Sequence, residues 1–248
     1  MAVQHLPRLY RVDQRLRLAA FIDVETTGLS TAEDEVVELA IALFAFDPES
    51  GEIAGIVDEY VGLRDPGRPI PAAASAVHGI RDADVRGKRL DGRRIRSLID
   101  RAEFLVAHNA PFDRGFVERL FPDIRGKRWH CSMNGVPWKR LGFASRGLQY
   151  LLHEHHIRVE RAHRGLDDVR GALSLLALTD SSGRCYFKYI ADRHLAEQDA
   201  AGRAVSATPA AAEAGVAQRG KRFWGMFTSP VKALFRLEMP GTSDQEKH

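Results

Sequence analysis

The sequence predicts an α/β protein with a mixed sheet flanked by helices, and three observations carry that prediction. Residues 17 to 63 are strand-like and punctuated by turns, and residues 72 to 120 set helical patterns around one short apolar run. Further on, Leu166, Val169, Leu173 and Leu176 recur at steps of three, four and three, the spacing of one helix face. Strands first, then helix and strand in alternation, give a mixed sheet.

The first strand ends at Asp23 to Glu25 inside AFIDVETTGL, and the second runs through Val36 to Phe44. The turn Asp47-Pro48-Glu49-Ser50-Gly51 separates the second from a third near Ile56 to Leu63, an antiparallel meander. Helical patterns follow at Ala72 to Val77 and Ile95 to Arg101, and Phe104 to Ala107 reads as a short buried strand leading into His108-Asn109-Ala110-Pro111. Pro111 suits a first helical turn, where its missing N–H would have had no partner. Phe112, Phe116 and Leu120, widened by Val117, make the core face of that helix, and Leu148 to Leu152 belong to another.

A chain of 248 residues, 44% hydrophobic and 28% charged, has material for one sizeable core or for one domain and a tail. No apolar run is long enough to span a bilayer, and arginines interrupt the N-terminal segment where a signal peptide would be apolar, so the expected location is cytoplasmic. Cys131 and Cys185 are too few for a disulfide framework and agree with a reducing compartment. The net charge of +3 suits polyanionic partners, and Arg81 to Arg101 carry eight Lys or Arg against four Asp. That stretch reads either as a phosphate-backbone track or as a solvated helix face. The expected organisation is an N-terminal extension over 1–16, a folded domain over 17–193, an Ala-rich linker over 194–220 and a basic aromatic tail over 221–248.

Asp23 and Glu25 share one strand face with Phe21, while Ile22 and Val24 share the other. Two adjacent acids at the end of an apolar strand need water, an ion pair or a divalent cation to offset their repulsion. Asp113 closes HNAPFD at a helix start, and Asp168 lies in the first turn of a helix within AHRGLDDVRGAL, five residues after His163. Each acid alone fits a favourable place near a helix N-terminus. A zinc site from His153, His155, His156 and Cys131 is a weaker alternative, because Cys131 has no neighbouring cysteine. Gly-rich phosphate loops are absent.

FIDVETTGL, HNAPFD and H-R-G-L-D-D, in this order, resemble the three motifs of the DnaQ-like 3′–5′ exonucleases of the DEDDh type, the family of the DNA polymerase III epsilon proofreading subunit. The segments Arg68 to Pro71 and Val77 to Ile80 are similar to that family's region before HNA, and the resemblance covers residues 17 to 180. It implies a ribonuclease-H-like mixed five-stranded sheet with a C-terminal tail. It makes Asp23, Glu25, Asp113 and Asp168 ligands of two Mg²⁺ ions, with Mn²⁺ as a substitute, and His163 the general base. It also implies that Thr26, Gly28, Leu29, His108 and Asn109 lie near the terminal nucleotide. Gly165 stands where the family usually has alanine, which is expected to loosen that helix start.

The function so implied is removal of nucleoside 5′-monophosphates from single-stranded or frayed DNA 3′ ends, in proofreading or repair, with a polymerase subunit contacted through the tail. An exoribonuclease and a catalytically inactive nucleic-acid-binding module are the alternatives.

Overall fold

The computed structural model describes residues 6–160 and 162–206. The strands are β1 (Arg17–Thr26), β2 (Val36–Phe46), β3 (Ile53–Leu63), β4 (Phe104–Ala107) and β5 (Arg128–Cys131). The helices are α1 (Ala72–His78), α2 (Asp82–Val85), α3 (Gly92–Arg101), α4 (Ala110–Leu120), α5 (Ser132–Gly135), α6 (Leu148–Glu154), α7 (Gly165–Leu176) and α8 (Tyr186–Ser206). The sheet order is β3-β2-β1-β4-β5. β1, β2 and β3 pair antiparallel, while β4 joins β1 in parallel and β5 joins β4 in parallel. This is the mixed five-stranded sheet that the sequence predicts.

β2 reads VVELAIALFAF and is buried at every position, as a strand covered on both faces should be. Because side chains alternate, one face of the sheet presents Phe21, Ala40, Ala42 and Phe44 to Leu151, Val169, Leu173 and Phe187 from α6, α7 and α8. The other presents Ile22, Leu39, Ile41 and Leu43 to Ile95, Leu98 and Ile99 of α3 and to Phe116 and Val117 of α4. Each fully buried Val, Leu, Ile or Phe side chain among them contributes roughly 1.5–3 kcal/mol. Helices therefore cover both sides of the sheet, and the end of β1 with the starts of α4 and α7 brings distant residues together.

Two expectations gain detail. α8 continues to Ser206, past the boundary expected after residue 193, so the expected linker is helical over residues 194–206. The reason is packing: His194 is buried, its ring centroid 4.0 Å from that of Phe104 and its Nδ1 3.1 Å from Nε2 of His130. Alanine is the best helix former, so an Ala-rich composition does not by itself mark a linker. The remainder of the expected linker and the basic aromatic tail lie outside the described residues. In the basic stretch, α3 buries Ile95, Leu98 and Ile99. Arg94 and Arg101 pair with Asp58, and Arg96 pairs with Asp123 at 2.6 Å, so these cations serve the fold. No helix among the described residues is long and apolar enough to cross a membrane.

Candidate active site

Strand register sets the first two acids. Asp23 lies opposite Ala40 and Glu25 opposite Glu38 on β2, on the Phe21 face that α7 covers. α7 brings Asp168 to this face in its first turn, and Glu25, His163 and Asp168 each offer a ligand atom within 4.8 Å of the others. Asp167 is not in that group. β4, parallel to β1, hands the chain to α4, whose first turn carries Asp113. Asp113 Oδ1 accepts the Val24 N–H at 3.2 Å, which fixes it against the backbone between Asp23 and Glu25. The structure thus assembles all four sequence-predicted acids and the histidine at one end of the sheet.

Their electrostatics are unfavourable without a cation. Burial, and then the charges of Asp113, Glu25, Asp168 and Glu38, hold the Asp23 carboxyl well above its ordinary range. Burial pushes Glu25 up to about 8, with help from Asp168, Glu38 and Asp113. It also pushes Asp113 up to about 7, against the opposing effect of the Val24 N–H. Asp168 is raised by burial, partly offset by a hydrogen bond from Gln149. Carboxylates that repel one another in a partly desolvated site are the donor set for a hard divalent ion, which would restore their ionised forms. The residues present therefore fit a metal centre.

Several neighbours hold this arrangement. Gln149 Nε2 donates to Asp168 Oδ1 at 2.8 Å, and the His163 N–H donates to Asp168 Oδ2 at 3.0 Å. Glu38, fully enclosed, accepts from Arg164 Nη2 at 2.8 Å and from the Gly165 N–H at 2.8 Å. A Cβ at Gly165 would stand 2.9 Å from the Ala40 Cβ and 3.3 Å from Glu38 Oε2. The glycine expected to loosen the helix start thus allows α7 to press against β2. Sequence reasoning missed Glu38, Arg164 and Gln149. The available signal was Glu38 itself, a charge inside an otherwise apolar strand.

The expected nucleotide-contacting residues divide. Thr26 Oγ1 donates to the Gly28 carbonyl at 2.6 Å and shapes the turn after β1. A side chain at Gly28 would collide with the Asp34 carboxylate, which accepts from Ser30 N–H at 2.9 Å and Arg68 Nη2 at 2.7 Å. Leu29 projects into solvent at 85% exposure beside this turn. Asn109 is exposed at the start of α4 and does not cap it. His108 turns inward: its Nδ1 lies 3.0 Å from Ser132 Oγ and its Nε2 2.7 Å from the Arg146 carbonyl. Both ring nitrogens are engaged, so His108 orders the loop before α6. The weaker zinc reading loses His155 in the same way, to the Leu151 carbonyl at 2.7 Å and the Tyr186 hydroxyl at 3.1 Å.

A sheet of this order with acids gathered from β1, α4 and α7 defines a nuclease class, and the family model described as Exonuclease (RNase_T) matches residues 20–176. The chain belongs to this family and carries its exonuclease domain, and the resemblance to DnaQ-like enzymes is borne out. A DNA polymerase III subunit epsilon-like protein of Rhodobacter capsulatus is 45% identical over 101 residues, covering 39% of this chain and 14% of that protein. A PolC-type DNA polymerase III of Listeria innocua is 30% identical over 159 residues, covering 62% and 10%. The chain thus matches only a small part of these relatives' lengths. Among solved structures, the zinc-bound complex of E. coli exonuclease I with single-stranded DNA superposes with a TM-score of 0.56 at 19% identity, over 73% of this chain and 45% of that one. At that identity the likeness supports the fold.

Proposed function

We propose that this chain is a divalent-metal-dependent 3′–5′ exonuclease that releases nucleoside 5′-monophosphates from DNA 3′ ends during replication or repair in the cytoplasm. The observation that carries this reading is the convergence of Asp23, Glu25, Asp113 and Asp168 with His163 at one end of the sheet. The DNA polymerase III names of its relatives favour DNA over RNA as substrate, and a polymerase as a partner for residues 221–248.

Asp23, Glu25, Asp113 and Asp168 would hold two Mg²⁺ ions, or Mn²⁺ in their place. When bound, the ions would neutralise the carboxylates and stabilise charge developing on the phosphoryl group. His163 stands exposed at the mouth of the acid cluster, where its imidazole can accept the proton of the attacking water. Histidine suits that task because its ordinary titration falls near neutral pH. The turn from Thr26 to Leu29 offers backbone and an exposed leucine to the terminal nucleotide, and Asn109 is exposed at the start of α4.

Incubation with 5′-labelled single-stranded DNA or RNA, with Mg²⁺ and then with a chelator, tests the proposal. Stepwise shortening of DNA from its 3′ end, abolished by chelation and by Asp23→Ala, is expected. Equal or faster RNA cleavage would transfer the function to RNA, and binding without cleavage under Mg²⁺ or Mn²⁺ would make the chain a binding module.

A further inference from the structure

Among the described residues Glu38 is a fifth carboxylate at the site, directly opposite Glu25 across the β1–β2 pair, and its charge raises both Asp23 and Glu25. Like charges directly opposed on neighbouring strands are destabilising. A fifth acid would be explained if it bound metal too, but its oxygens are already engaged. Oε1 accepts from Arg164 Nη2 at 2.8 Å, and Oε2 accepts from the Gly165 N–H at 2.8 Å and from Arg164 Nε at 3.4 Å. All three donors belong to the two residues immediately after His163.

His163 itself occupies a left-handed backbone conformation at φ 58°, uncommon for a residue with a side chain. Such a conformation persists where its surroundings over-determine it. Here the surroundings are specific: the His163 N–H is tied to Asp168 at 3.0 Å on one side, and Arg164 and Gly165 are tied to Glu38 on the other. The imidazole is exposed, with a ring nitrogen within 4.8 Å of ligand atoms of Glu25 and Asp168, so the backbone conformation beneath it contributes to its aim.

We propose that Glu38 and Arg164 form a positioning pair that aims the His163 imidazole at the site, and that Glu38 is not a metal ligand. This rests on the reading of His163 as the proton acceptor. The guanidinium also neutralises Glu38, which lets an acid stand beside Glu25 without competing for the ions. The half-buried two-pronged contact is geometric as well as electrostatic, so a lysine at 164 would keep the charge but not the alignment.

The test is a cycle of Arg164→Ala and His163→Ala, with Arg164→Lys and Glu38→Gln as companions. It reads kcat and KM on single-stranded DNA, Mn²⁺ binding by calorimetry, and Tm. Arg164→Ala is expected to lower kcat by about ten- to a hundredfold with KM changed less than about twofold, the signature of a misplaced catalytic group. On the His163→Ala background the same change should cost less than about twofold more, because its route of action is gone. Mn²⁺ stoichiometry should survive Glu38→Gln. Should Arg164→Ala not fold, Arg164→Lys carries the same cycle. An undiminished kcat in the Arg164 variants, a full additional loss on the His163→Ala background, or a missing Mn²⁺ ion in Glu38→Gln would each overturn the pairing. Parental turnover in His163→Ala alone would instead overturn the proton-acceptor role.

Discussion

Gly165 illustrates how one missing methyl group lets a helix start reach a cluster of acids. It lets the start of α7 approach Ala40 and Glu38, and its N–H reaches Glu38 because nothing intervenes. Alanine is the better helix former, but a Cβ 2.9 Å from the Ala40 Cβ meets a strand that cannot yield, so the clash should outweigh propensity. Gly165→Ala is expected to cost about 1 kcal/mol in urea unfolding, and combining it with Ala40→Gly should cost less than the sum of the two single changes. Strict additivity would show that the two residues do not compete for space. The acids were legible as residues because their motifs carry them. Gln149, Arg164 and the inward turn of His108 were not, because each is defined by a partner brought close only by folding.

At the level of elements, the meander β1 to β3, the helix after Pro111 and the face of α7 could be read from spacing, since each buries its own periodic pattern. The short strand β5 has four residues and is sustained by its neighbour β4. The extent of α8 is hard to read because its Ala-rich end has weak patterning, while His194, which anchors it, is a buried polar residue with no apolar periodicity to mark it. A chain ended after Arg193 loses that buried ring and the contact from Arg17 Nη2 to Gln198 Oε1 at 2.9 Å. Relative to a chain ended after Ser206 it should be less stable by about 2 kcal/mol, or about 4–8 °C in Tm. Equal Tm values would show that the end of α8 contributes nothing to the fold.

For the whole molecule, the raised carboxyls couple stability to pH. Glu25 at about 8 and Asp113 at about 7, with Asp23 and Asp168 also raised, bind protons in the folded state at pH values where the unfolded chain has lost them. Their stabilising contribution is full below the ordinary carboxyl range and is lost as pH rises through about 7 to 8. Metal binding must first displace those protons. The rise in Tm caused by Mg²⁺ should therefore be larger at about pH 8.5 than at about pH 6, with the metal-free protein showing the opposite trend. A pH-independent Mg²⁺ shift would detach the ions from these acids. The parallel pairing of β1 with β4 has a separate consequence. The strands are far apart in the chain, and the last acid comes later still, at residue 168. A nascent polypeptide leaving the ribosome holds its strands long before it holds Asp168, so on the proposed reading a chain stopped before that residue is expected to show no cleavage at all, rather than weak cleavage, in the labelled-DNA assay.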